Sequence, residues 1–345
     1  PVTAADAQAL LDTWAAEFHI AGVTLGVRRH DGANWAGASG VNLATGEPLP
    51  VDQRFWTASM TKTFTVALLL RKVDEGVISL DDSAADYVPG IAHSDQVTIR
   101  QLIQHTSGLM ATDGVPPSDA LVAASETDLA FAPGEGFLYS SPGYYLLGLI
   151  IEKLYGRSFT QTLHDELLNP LGLTASLMDE EFEPLDYSTH PASWMLFDSG
   201  VVQSLSQIDE GTLDRYDYYG VLWSAGGLHS DVSDLTRWAL ALWDGDEIVS
   251  PALRDEMTNF LPAQFEYSGL ATYPFCPCWY EGQRFVAERW GHYGRSGVLE
   301  YDPRDRIAVA IYTSGTDIDE ELIVAYDELS KRIRGLFRDR AFEPG

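Results

Sequence analysis

The sequence predicts an α/β plus all-α protein: an antiparallel sheet assembled from both ends of the chain and flanked by helices, with a mainly helical subdomain inserted between them. Three observations carry that expectation. Short alternating pieces stand near the start, in "GVTLGVRRHDGANWAGASGVNL". Helical patterns then dominate from Ser59 to about Leu242, and strand-like segments return at the end in "RFVAERWGH", "GVLEYDP" and "RIAVAIYTSG". The expected division puts residues 1–58 and 215–345 in an α/β subdomain and 59–214 in the helical one, with a cleft between them as the natural place for a site.

Taken in chain order, "AADAQALLDTWAAEF" has apolar residues at helical spacing, and the alternating stretch after it breaks at Asp31-Gly32 and Thr45-Gly46, as an antiparallel hairpin would. "SMTKTFTVALLLRKVDEG" predicts a helix that begins near Ser59 and ends at Gly76. Long loops are expected around "MATDGVPPSDA" and "MDEEFEPLDYSTHPASWMLFDSG". In "FAPGEGFLYSSPGYYLLGLIIEKLYGRS", Pro133-Gly134 makes a turn, Ser141 is the natural N-cap of the next helix, Pro142 suits its first position and Gly156 closes it. The last helix is "DEELIVAYDELSKRIRGLF". The chain has no internal repeat and no low-complexity linker.

With 345 residues, 45% of them hydrophobic, and a mean hydropathy of -0.10, the chain can bury a sizeable core. It holds no run of about 18 uninterrupted apolar residues, so nothing in it is expected to span a membrane. Acid outweighs base, 51 Asp+Glu against 22 Lys+Arg, for a net charge of -29. Such a field repels phosphate backbones and anionic lipid heads and excludes nucleic acid and membrane surfaces as expected partners. Cys276 and Cys278 in "FCPCW" are spaced badly for an unstrained disulfide, and no further Cys or His stands nearby at ligand spacing, so free thiols are expected. Pro1 stands where an initiator methionine would, and no signal peptide follows, which predicts a matured or trimmed chain.

Three stretches carry chemistry. Lysine occurs only at Lys62, Lys72, Lys153 and Lys331, and Lys62 stands three places after Ser59 just where the apolar helix begins. Residues i and i+3 share a helix face, so hydroxyl and ammonium would lie side by side, with the unpaired N–H of Ser59 as an oxyanion donor. Tyr139 is left on a rigid loop before the next helix, and a phenol held beside an ammonium is a usable general base. In "RWGHYGRSG" a strand ends at His292-Tyr293-Gly294, where glycine lets the backbone approach a bound group and the N–H of Arg295 can serve as a second oxyanion donor. Each stretch alone has a bland reading: a helix start, a packed tyrosine, a glycine-rich strand end with a surface histidine.

Together, the order and spacing of these pieces resemble the serine β-lactamase and penicillin-binding-protein superfamily, particularly its class C β-lactamase and D-alanyl-D-alanine carboxypeptidase branch. "SMTK" resembles the Ser-x-x-Lys motif, "YSS" the Tyr-x-Asn motif and "HYG" the Lys-Thr-Gly or His-x-Gly motif. The stretches "VTIRQLIQHTSGL" and "WSAGGLHSDVSDLTRWALAL" look like the family too, and the likeness covers roughly residues 20 to 315. It implies a β-lactamase/transpeptidase-like fold and a serine acyl-transfer enzyme. Ser59 would attack the carbonyl, Lys62 and Tyr139 would share the proton work, and the N–H groups of Ser59 and Arg295 would hold the oxyanion. Ser141, His292, Tyr293 and Gly294 would then bind substrate. The resemblance implies a small-molecule or peptide substrate, no cofactor, no metal, and a secreted or periplasmic setting.

Two departures bear on substrate. Ser141 stands where the family usually has Asn, and Tyr293 stands where Thr or Ser often helps bind a substrate carboxylate, a task Arg295 is placed to take over. The expected activity is that of a D-peptidase or D-alanyl-D-alanine carboxypeptidase, followed by a carboxylesterase or D-amino-acid amidase and then a class C-like β-lactamase.

Rival chemistries find less support. A Ser/His/Asp hydrolase would show a Gly-x-Ser-x-Gly elbow, which is absent, and His105 in "IQHTSGL" reads as a structural residue at a helix end. No His-Glu-x-x-His pair offers a metal site. A penicillin-recognising binding protein is the alternative outside enzymes, and Ser59, Lys62 and Tyr139, all present, argue against it.

Overall fold

The computed structural model of the chain describes residues 1–43, 45–110, 117–178, 194–196, 202–204, 222–262, 268–281, 284–293, 297–314, 320–338 and 340–343. Its main sheet consists of β1 (Gly22–Arg29), β2 (Asn34–Gly40), β3 (Tyr273–Glu281), β4 (Arg284–Tyr293), β5 (Gly297–Asp302) and β6 (Ile307–Thr313). The strands lie in the order β2-β1-β6-β5-β4-β3, and every neighbouring pair is antiparallel. The two ends of the chain meet at β1 and β6, where Leu25 faces Ile311 and Val27 faces Val309. The sheet joining both termini is therefore the one expected, hairpin at Gly32 included.

Strand β6 shows why the sheet sits in the middle of the molecule. All of "IAVAIYT" is buried, and successive side chains go to opposite faces. Ile307, Val309 and Ile311 join one core with Trp14, Leu25 and Ile333, whereas Ala308, Ala310 and Tyr312 join another with Phe64 and Trp238. The small residues answer close packing: a Cβ on Gly26, in the neighbouring β1, would meet the Val232 carbonyl oxygen at 2.6 Å. Slipping β6 by one residue would drive isoleucines onto that crowded face, which fixes the register.

The site and the sheet are framed by α1 (Ala4–Glu17), α2 (Thr61–Asp74), α3 (Ile99–Ile103), α4 (Ser141–Tyr155), α5 (Trp223–Gly226), α6 (Val232–Trp243) and α7 (Glu320–Phe337). Helix α1 starts at a capping box between Thr3 and Asp6, and it joins α7 over one sheet face through the Trp14 indole N–H, which donates to the Ala325 carbonyl at 3.1 Å. Helix α6 covers the other face and passes it on to the helical body. At the centre of that body every residue of α2 from Thr61 to Leu70 is buried, the mark of a helix enclosed on all sides.

Three details differ from expectation. Ser59 lies in a single 3-10 turn, Ala58–Met60, ahead of α2. Helix α4 is capped by Ser140, whose backbone is extended at φ -135 and whose Oγ accepts from the Gly143 N–H at 3.3 Å; Ser141 is already helical. Strand β3 was not expected, because Pro274 and Pro277 interrupt its pattern. It lies at the sheet edge, where prolines are tolerated at outward-facing positions and bulges, and the pairing with β4 is irregular between Ala287 and Arg289, opposite Pro277. Cys276 and Cys278 sit on this strand, and their side chains, with the expected free thiols, lie outside the described residues, as does the expected boundary at 214/215. Among the described residues no helix is long and apolar enough to cross a membrane.

Candidate active site

The Ser59 turn is built on strain. Ala58 takes φ +47, a left-handed conformation that costs a residue bearing a Cβ about 1–3 kcal/mol. Two threonines clamp it: Thr61 Oγ1 donates to the Ala58 carbonyl at 2.7 Å, and Thr57 Oγ1 donates to the Leu228 carbonyl at 2.7 Å. The result is that Ser59 is partly exposed between two buried neighbours, Ala58 and Met60. Among the described residues its N–H donates to no backbone carbonyl, as suits a group available to an incoming oxygen.

Lys62 is 1% exposed. Its Nζ donates to Ser59 Oγ at 3.1 Å and to the Ala225 carbonyl oxygen at 2.7 Å, and it lies 4.8 Å from the centre of the Tyr139 ring and 5.2 Å from that of Tyr144. A buried cation needs such partners, since desolvation otherwise drives it to neutrality. The Ala225 carbonyl is held in place by α5, which is docked by Ser224: its carbonyl accepts from Thr65 Oγ1 at 2.6 Å and its own Oγ donates to the Tyr144 carbonyl at 2.9 Å.

Tyr139 closes the group from the loop before α4. Its hydroxyl donates to Ser59 Oγ at 2.7 Å, and at 36% exposure it is the open side of the site, while Lys62 is the sealed one. The Ser59 oxygen thus has two proton-bearing neighbours, one facing the interior and one facing solvent. Once either neighbour gives up its own proton it can act as a base on the Ser59 hydroxyl, which allows attack on a carbonyl without a His/Asp pair.

The remaining expected residues fall into three groups. Ser141 opens α4 two places after Tyr139 and is 5% exposed. His292, expected to bind substrate, is 3% exposed, with its ring edge-on to Tyr273 at 5.2 Å, on β4, an inner strand that runs past the Ser59 turn; the bland alternative of a surface histidine does not hold. Tyr293 pairs with Val298 through the backbone, but its side chain lies outside the described residues, and so do Gly294 and Arg295. Sequence reasoning missed the Ala225 carbonyl, although "WSAGG" lies in a family-like stretch; a backbone oxygen carries no residue signature. His105, expected to be structural, stacks its ring on Tyr139 at 4.2 Å.

Comparison with known proteins gives the family. A model of the Beta-lactamase family matches residues 7–329. The chain is 35% identical over 183 residues to "Penicillin-binding protein 4" of Amycolatopsis lactamdurans, a match that covers 49% of this chain and 48% of that protein. The chain thus spans about half the length of the curated relatives it matches. Among solved structures, a D-amino acid amidase from Ochrobactrum anthropi SV3 shares the fold with a TM-score of 0.77 at 22% identity, over 96% of this chain and 98% of that one. A D-stereospecific amidohydrolase from Streptomyces sp. does so with a TM-score of 0.71 at 23% identity, over 93% and 97%. The chain belongs to the Beta-lactamase family and has the fold of β-lactamases and penicillin-binding proteins.

Proposed function

We propose that the chain is a D-peptidase of the penicillin-binding-protein kind, working through an acyl-enzyme on Ser59. The observation that carries the acyl-enzyme is the placement of Ser59 Oγ between Lys62 Nζ at 3.1 Å and the Tyr139 hydroxyl at 2.7 Å. In the reacting state one of the pair, the Lys62 amine or the Tyr139 phenolate, has given up its own proton, and as Ser59 Oγ bonds to the substrate carbonyl carbon the serine proton passes to that base. Lys62 is sealed off and cannot reach a leaving group, so the proton reaches the departing nitrogen through Tyr139, which faces solvent. The C–N bond breaks, and water then attacks the ester on Ser59, returning its proton by the same route. The N–H groups of Ser59 and Arg295 hold the oxyanion in both halves, and Ser141, His292, Tyr293 and Gly294 bind substrate.

The D-peptide assignment draws support from the likeness to a penicillin-binding protein. A second reading, D-amino-acid amidase or esterase, is favoured by Ser141, a short buried hydroxyl where the family usually has a carboxamide. A panel of a D-Ala-D-Ala peptide, a D-amino-acid amide, a short-chain nitrophenyl ester and a chromogenic cephalosporin, with intact-mass detection of the adduct, separates these. Fastest turnover of the peptide supports the first reading. Turnover of amide or ester with an inert peptide replaces it with the second, and a cephalosporin adduct that never hydrolyses makes the chain a binding protein.

A further inference from the structure

We infer that His105 is a positioning residue for Tyr139. The inference rests on the Ser59 acyl-enzyme reading and begins from how the tyrosine is held. The residues on either side of Tyr139 are both tied to His105: the Leu138 N–H donates to the His105 carbonyl oxygen at 2.9 Å, and the Ser140 N–H donates to His105 Nδ1 at 3.1 Å. Between those two bonds the imidazole stacks on the phenol ring, centroids 4.2 Å apart and planes 27° apart. One residue therefore fixes the backbone before Tyr139, the backbone after it and the ring itself.

The structure bears costs to keep this side chain. His105 has φ +59, where a helix end ordinarily takes Gly or Asn, and its ring is buried at 1% exposure. With Nδ1 accepting from Ser140, the neutral ring carries its proton on Nε2, and that atom has no hydrogen-bond partner among the described residues. A helix end needs neither the strain nor the unpaired N–H, both of which glycine would remove. The ring is also kept neutral. Lys62 on α2, Tyr144 on α4, His292 on β4 and Tyr139 itself face it, and burial, then Lys62 and His292, hold its pKa well below the ordinary value. A protonated Nδ1 could not accept from Ser140, so neutrality preserves the grip.

The test is the labelling rate of the full chain by an alkyl fluorophosphonate, followed by intact mass, with the saturating rate kinact separated from the half-saturating concentration KI. His105→Gly relieves the backbone and removes both acceptor and ring; His105→Asn puts an Oδ1 close to the place of Nδ1 and tolerates positive φ. Glycine is expected to lower kinact by about 10- to 100-fold with KI changed less than about 3-fold, and asparagine to stay within about 3-fold of the parent. A folded glycine variant at the parent rate, an asparagine variant as slow as glycine, or a loss confined to KI overturns the positioning role. If the glycine variant does not fold, His105→Phe, which fills the volume without the acceptor, takes its place with the same outcomes. Labelling of Ser59→Ala, or none of the parent, sinks the acyl-enzyme reading itself; an unlabelled Ser59→Ala beside a glycine variant at the parent rate sinks only the role of His105.

Discussion

The Tyr139 hydroxyl donates to Ser59 Oγ at 2.7 Å from a loop 80 residues further along the chain. Tyr139→Phe removes that oxygen and keeps the ring that packs on His105. The expected outcome is a folded protein whose acylation rate falls by about 10²–10⁴-fold. Ser59→Ala should abolish the intact-mass adduct, and His292→Ala should slow its formation. An adduct that survives on Ser59→Ala would place the nucleophile elsewhere.

Gly148 on α4 has no room for a methyl group: a Cβ there would meet Ser224 Oγ at 2.5 Å and the Trp223 ring at 2.7 Å. Gly148→Ala must shift the Ser224 and Trp223 side chains, which dock α5, and α5 carries the Ala225 carbonyl that holds Lys62. Overpacking of this kind costs about 1–3 kcal/mol, so a lower Tm is expected together with slower acylation. A variant that loses Tm but acylates at the parent rate would show that the carbonyl does not govern Lys62.

Behind the sheet, Arg334 donates to Asp302 at 2.6 Å, and Arg289 donates to Glu300 at 2.6 Å and pairs with Asp327. Arg334 and Asp302 are 4% and 0% exposed, so removing Asp302 takes the near carboxylate from a buried guanidinium and leaves it the longer pair with Glu300 at 3.6 Å. Asp302→Ala is expected to cost about 3–5 kcal/mol in urea unfolding. Asp302→Ala together with Arg334→Met should recover part of the loss; a double variant no more stable than the single one would contradict the pairing argument.

Burial pushes His229 down to about 3 and also holds His105 well below the ordinary histidine value. An unfolded histidine takes up its proton near pH 6.5, so below that pH the unfolded chain binds protons that these two sites refuse in the folded state. Their stabilising contribution is therefore complete above about pH 6.5 and is lost as pH falls, by about 1.4 kcal/mol per pH unit for each site. Urea unfolding between pH 7 and 5 should show this slope, and His229→Asn should reduce it by about one proton. An unchanged slope in that variant would mean that His229 titrates alike in both states.

The fold was legible where burial leaves a pattern. "RIAVAIYTSG" announced a strand, "SMTKTFTVALLLRKVDEG" the helix α2, and Gly156 the end of α4, because each follows from side-chain chemistry and local pattern. Strand β3 was not legible, since its prolines argue against a strand unless the sheet edge is already known. The one-residue shift of the cap from Ser141 to Ser140 was equally hidden, two adjacent serines being equal candidates until the backbone chooses.

What the sequence alone determined is the order of elements, the junction of both chain ends in one sheet, and the presence of a serine and a lysine one helical turn apart. Tertiary structure decided how Lys62 is kept, which side chain faces solvent and what grips Tyr139. Those depend on a carbonyl at Ala225, a left-handed backbone at Ala58 and His105, and a ring stacked across distant segments. Backbone oxygens and dihedral angles belong to every residue type alike, so they acquire chemical meaning only when packing brings them to a side chain that needs them.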